Sequence, residues 1–109
     1  MSTRATIKFL NGSDIRYVYR YQDGYPSVVL DDLHLLRDKL ITEKFDSTDL
    51  DKVVLEFFKL VRCLVGDLSS PYQITRGVQY DESYLYEFKW DQDNKTWNCD
   101  VNDGYDPNL

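Results

Sequence analysis

The residues of this 109-residue chain best suited to acid–base chemistry are a single histidine, His34, and 19 carboxylates. A general base needs an orienting partner and a pocket, and no Ser or Cys near His34 sits in a nucleophile motif. On a helical wheel His34 falls beside Leu30, Arg37, Asp38 and Ile41, outside the apolar stripe, which is the pattern of a surface histidine. Two carboxylates sharing a cleft could divide the roles of acid and base, but the spacing singles out no pair. Walker, G-x-G-x-x-G and H-E-x-x-H signatures are absent. Cys63 and Cys99 lie far apart, without a C-x-x-C pair or zinc-ligand spacing, and read as two reduced structural thiols. No catalytic residue, metal or cofactor is therefore assigned. An enzyme built on His34 or on paired carboxylates ranks third among the readings of function.

Recognition chemistry is better represented. In Arg20-Tyr21-Gln22-Asp23-Gly24-Tyr25-Pro26, a strand ending in a turn explains the Asp, Gly and Pro. The same string could also project Arg20, Asp23 and Tyr25 from a strand edge as a small polar and aromatic ligand site, since loops on rigid scaffolds often bind ligands. Asp100-Val101-Asn102-Asp103-Gly104 has the composition of a calcium loop, but its ligand spacing slips and no closing Glu follows. Asp91-Gln92-Asp93-Asn94 reads as a hairpin turn.

The elements that must position these groups follow from periodicity. Ala5, Ile7 and Phe9 alternate with Thr6 and Lys8, and Asn11-Gly12 supplies a tight turn into a second strand. That strand sets Ile15, Tyr17, Tyr19 and Tyr21 on one face and Arg16, Val18 and Arg20 on the other. Helical spacing of Val29, Leu33, Leu36 and Leu40 predicts a helix over 28–41, with Ser27 as N-cap and Asp31 and Asp32 near its positive end. Thr48-x-x-Asp51 has capping-box form. It predicts a second helix ending near Gly66, with Leu50, Val53, Val54, Phe57, Leu60, Val61 and Leu64 on its buried stripe and Phe58 and Val65 at the edge. Tyr72, Ile74, Arg76 and Val78 form a weaker strand pattern. Clearer ones follow at 84–90 and 96–101, arranged most simply as a C-terminal meander.

Strands at both ends with consecutive helices between them predict an α+β fold. It should be a two-layer ββααβββ arrangement with an antiparallel or mixed sheet and both helices on one face. The length suits a single domain over 1–109, with an ordered core of about 3–101 and an irregular acidic tail over 102–109. Val28 and Leu35 fall on the side of the first helix opposite its stripe. They could contribute to a partner surface, but the preferred account is that the loop from Thr42 to Ser47 folds over them or that they are isolated exposed apolar residues; a homo-oligomer that buries Leu35 would also explain that residue. Tyr17, Tyr19, Tyr84, Tyr86 and Trp90 suit either base stacking or packing under the helices, and core packing is the expectation.

The formal net charge of −6 and pI of about 4.6 argue against nucleic acid as a ligand. Most of the acids are Asp, a residue that folding alone places at turns and helix starts. No segment reaches the roughly 18 apolar residues that span a bilayer, so no membrane contact is expected and a cytoplasmic location is.

A β-hairpin carrying Arg-x-x-Asp-Gly-Tyr-Pro and followed by a Leu-rich helix resembles small uncharacterised proteins of bacteria, prophages and phages. Members often read Arg-His-x-Asp-Gly-Tyr-Pro, whereas this chain has Tyr21 in the second position, so no role of that His transfers. Asp81 to Phe88 is similar to a late strand of the same proteins. The resemblance implies a mobile-element setting and no specific activity. The leading expectation is a non-enzymatic interaction protein acting on a host protein. The alternative is a binder of small, nucleotide-like ligands that uses the aromatic sheet and the Arg20–Pro26 turn.

Overall fold

In a computed structural model, which describes residues 3–43, 49–63, 70–79 and 82–103, the elements run β1 (Ala5–Asn11), β2 (Asp14–Arg20), α1 (Pro26–Thr42), α2 (Leu50–Leu60), β3 (Tyr72–Thr75), β4 (Tyr84–Asp91) and β5 (Thr96–Asp103). The five strands form one mixed sheet in the order β3-β2-β1-β4-β5, with both helices packed on one face, so the chain is an α+β protein of ββααβββ order. Among the described residues no helix is long and apolar enough to cross a membrane.

β1, at the centre, is the most deeply buried strand. Ala5, Thr6, Ile7 and Phe9 are all wholly buried, and only a strand with neighbours on both sides and cover on both faces can bury residues of both parities. It pairs antiparallel with β2 and parallel with β4, placing Ile7 in register with both Val18 and Tyr86. This pairing replaces the expected C-terminal meander. β4 and β5 form a hairpin, but β3 goes to the opposite edge and pairs with β2. A meander would have filled both sides of β4 and so excluded the β1–β4 pairing that is found. The return from β3 to β4 crosses the face that the helices leave open. There the buried Glu82 carboxylate accepts from the Thr6 hydroxyl and from the backbone N–H of Gln79 at 2.9 Å.

Register also reverses the expected facing of β2. Val18 lies beside Ile7 under the helices, so Tyr17, paired with Lys8, and Tyr19, paired with Thr6, belong to the other face and are half-buried there. Strand parity allows no intermediate arrangement. Tyr tolerates the open face because its hydroxyl end can stay wet. Arg16 and Arg20 share Val18's face, where Arg16 meets Asp51 of α2 and Arg20 lies over the Tyr72 ring.

Both helices begin differently from expectation. α1 starts at Pro26, whose missing N–H costs nothing at the first helical position, with Tyr25 rather than Ser27 as the capping residue. Asp31 and Asp32 therefore fall beyond the first turn, which carries no acid. α2 is capped by Asp49, whose side chain accepts from the Asp51 N–H at 3.0 Å; Thr48 lies outside the described residues. It ends at Leu60 rather than near Gly66, because Arg62 turns left-handed (φ 58°) and the Cys63 N–H bonds back to the Phe58 carbonyl at 2.9 Å. Leu64, Val65 and Gly66 lie outside the described residues. β5 runs to Asp103, so Asn102 and Asp103 belong to a strand and not to an irregular tail.

Phe57 of α2 sits at the middle of the core, with ring centroids 5.6 Å from Phe9, 6.3 Å from Phe58 and 4.9 Å from Tyr72. On the surface Glu56 ties the helices together, with one carboxylate oxygen 3.1 Å from Lys39 and the other 3.3 Å from Lys59. Lys39, then Lys59, hold its carboxyl below the ordinary glutamate value against an opposing effect of burial. A lowered folded-state pKa contributes stability above the unfolded value and loses it as pH falls through the folded one. Urea unfolding should therefore show Glu56→Gln less stable by roughly 0.5–1 kcal/mol near neutral pH. The gap should shrink as pH falls below the ordinary glutamate range and through the lowered folded-state value; a gap unchanged with pH would assign the loss to something other than charge.

Candidate functional site

The Arg20–Pro26 string folds as a clasp on the end of the sheet. Arg20 closes β2, and its guanidinium carbon lies 4.6 Å from the centroid of the Tyr72 ring while Nε donates to the Asp23 carbonyl at 3.2 Å. Tyr72 in turn donates its hydroxyl to Asp32 Oδ2 at 2.7 Å. Burial first, and the Asp32 carboxylate second, push that phenol well above its ordinary range. Asp23 adopts a left-handed φ of 54°, which Asp tolerates better than most residues, and its side chain is exposed. Gly24 is buried against β1: its N–H donates to the Thr3 carbonyl at 2.9 Å and its carbonyl accepts the Tyr86 hydroxyl at 2.6 Å. A Cβ there would stand 2.8 Å from the Ala5 Cβ and 3.1 Å from backbone of Arg4 and Ala5. Tyr25 is 46% exposed, its ring set edge-on to Tyr84 at 6.5 Å.

The structure thus places Arg20, Asp23 and Tyr25 in one turn, but the turn's polar groups are largely engaged within the fold. Arg20 is held over Tyr72, the Asp23 and Gly24 carbonyls accept bonds, and the Tyr25 carbonyl accepts the Val28 and Val29 N–H groups that open α1. Gly24→Ala should cost about 1–3 kcal/mol, because the new methyl meets backbone that cannot move alone. Chemical denaturation measures this; a variant as stable as the wild type would show that the turn does not depend on the close approach.

The remaining candidates are dispersed. His34 is exposed on α1. On the same helix Leu35 is 55% exposed and Val28 half-buried. Asp91 is the turn residue its sequence indicated: one carboxylate oxygen accepts from the Asp93 and Asn94 N–H groups and the other from the Asn94 amide at 2.8 Å, and Asn94 foremost holds the carboxyl below its usual range. Asp100 to Asp103 lie in β5 rather than in a loop, and among the described residues no group of three or more His, Cys, Asp or Glu could hold a metal. Cys63 is buried, and burial pushes the half-buried Cys99 thiol up to about 11. Cys99 should accordingly react with iodoacetamide near pH 8 on the order of a hundredfold more slowly than free cysteine, and faster as pH rises toward its raised value. Alkylation at the free-cysteine rate would contradict that environment.

Of three clefts lined by described residues, none is bounded by Arg20, Asp23 or Tyr25. The first, of about 220 Å³, lies between α2 and the β2–β3 edge and is bounded by Arg16, Tyr17, Asp51, Val54, Leu55 and Ile74. Ile74 is paired with Val18 and shares its helix-side face, yet it is 51% exposed where Val18 is wholly buried, because β3 is the edge strand and α2 lies over β1 and β2. Across the cleft Leu55 is 49% exposed. Arg16 Nε meets Asp51 Oδ1 at 2.8 Å at one end, and this bond lowers the Asp51 carboxyl and raises the guanidinium. The second cleft, of about 210 Å³, lies on the open face beside Leu85 and Glu87. The third, of about 470 Å³, surrounds the polar β4–β5 turn.

Sequence reasoning missed the first cleft. Its signals were Leu55, an apolar residue off the main stripe of α2, and Ile74, an apolar residue in the weakest strand pattern. Neither could be joined to the other before the strand order was known. Compared with known proteins, the chain matches no family model, no curated protein and no solved structure.

Proposed function

We propose that this chain is a non-enzymatic protein-interaction module whose contact site is the apolar cleft between α2 and the β3 edge. The facing exposure of Leu55 and Ile74 carries this reading. Two large aliphatic side chains stand about half in water on either side of a concavity, an arrangement that costs solvation energy unless a partner covers it. At about 220 Å³ the cleft is smaller than the roughly 300–1,000 Å³ typical of small-molecule pockets and suits a protein side chain better. The likeness of Arg20–Pro26 to proteins of prophages and phages supports a mobile-element setting with a host protein as partner. Two unpaired thiols support a reducing, cytoplasmic location.

The nucleotide-like alternative has less behind it. Arg20 is held over Tyr72, and Tyr17 and Tyr19 are separated from Tyr84 and Tyr86 by the sheet itself. An enzymatic reading has less again, since His34 lines none of the three clefts and Cys99 carries a raised thiol pKa.

Panning a displayed random-peptide library on the immobilised protein tests the proposal. Enriched peptides should bind wild type and lose binding to Leu55→Glu and Ile74→Glu. Both variants should unfold within about 0.5 kcal/mol of wild type, because the positions are exposed. Peptides that bind the variants as well as wild type, or no enrichment at all, would remove the cleft as the contact site.

A further inference from the structure

The character of the cleft's occupant can be read from the cleft's two ends, given the reading above that the cleft is the contact site. The lower part is apolar, formed by Ile74, Leu55 and Val54. The upper part is acidic. Arg16 is ion-paired to Asp51 at 2.8 Å, Asp49 caps the same end of α2 through the Asp51 N–H, and Asp14 and Asp49 act on the guanidinium after Asp51. Three carboxylates gather around this one guanidinium, in keeping with the −6 of the whole chain. Backbone supplies the third feature. β3 is an edge strand, and its pairing with β2 covers only Tyr17 to Arg20, so the sheet continues upward past Thr75 without a β3 partner.

We infer that the occupant is an extended segment of a partner protein that lies along β3, puts one apolar side chain between Leu55 and Ile74, and sets a Lys or Arg against the Asp14, Asp49 and Asp51 end. Strand geometry fixes the spacing. Val18, level with Ile74, and Arg16 are two residues apart on one face of β2, a rise of roughly 6.6–6.8 Å. A strand alongside must span that same distance with same-face residues two apart. The recognised pattern is therefore apolar-x-basic if the segment runs parallel to β3, and basic-x-apolar if it runs antiparallel. Main-chain pairing would contribute affinity and the alternate side chains specificity, as in other additions of a strand to a sheet edge. The acidic rim would reject a segment with Glu or Asp at the basic position.

Acetylated, amidated octapeptides containing Ile-x-Lys or Lys-x-Ile, their Glu counterparts, and the same peptides N-methylated at alternate amides serve as probes. Binding is followed by the methyl resonances of Leu55 and Ile74 in the full chain. One of the two Lys peptides should shift both methyl groups. Its Glu counterpart should bind at least about tenfold more weakly, a contrast that shrinks with added salt. One of the two N-methylation patterns should abolish binding while the other is tolerated. Peptides that shift both methyl groups regardless of charge or N-methylation would overturn the extended, basic occupant and leave the cleft as a contact site. If none of these peptides moves either methyl group, the occupant assigned here is wrong. Library peptides that still depend on Leu55 and Ile74 would then preserve the broader reading, and their absence would end both.

Discussion

Ile7 lies in register between Val18 of β2 and Tyr86 of β4, and all three side chains are wholly buried beneath the helices. Because side chains alternate strictly along a strand, this row fixes the parity of three strands at once. Through the pairing of Val18 with Ile74 it fixes that of β3 as well. It decides that the tyrosines of β2 face away from the helices. It also makes β1 the central strand, puts β3 at an edge, and sends the β3–β4 connection across the open face, where Glu82 and Thr6 hold it.

The same row explains why the most distinctive stretch of sequence is first of all architectural. Tyr86, inward-facing beside Ile7, reaches the Gly24 carbonyl with its hydroxyl, so the turn after β2 is pinned to β4. Gly24 can sit against Ala5 only without a side chain, and Pro26 then opens α1 where its absent N–H is harmless. Arg20 covers Tyr72, which anchors β3 to α1 through Asp32. Residues that resembled a ligand site by composition are thus those that join strand, turn and helix.

The local elements were legible because their signals are local. The period-two pattern of β1 and β4, the Leu stripe of α1 and the Asp91 turn each lie within a few consecutive residues, and each is found where its pattern placed it. Legibility failed wherever a decision depended on a distant strand. The facing of β2 was ambiguous because Tyr suits both a core and a wet face, and only pairing with Ile7 resolves it. The meander was the shortest connection, but β1 takes the place beside β4 that β3 would have held, a pairing between strands far apart in sequence. The cleft joins a residue of α2 to one of β3 that the periodicity of neither element connects.

An apolar cleft at the β3 edge exists only if β3 pairs with β2 and β4 pairs with β1, which makes that strand order the central claim. Cross-strand proton–proton contacts in the NMR spectrum of the full chain measure it directly. Contacts should join Val18 to Ile74 and Ile7 to both Val18 and Tyr86, in antiparallel and parallel patterns respectively. Contacts joining the β3 residues Tyr72 to Thr75 to β4, as a meander requires, would contradict the strand order and with it the site.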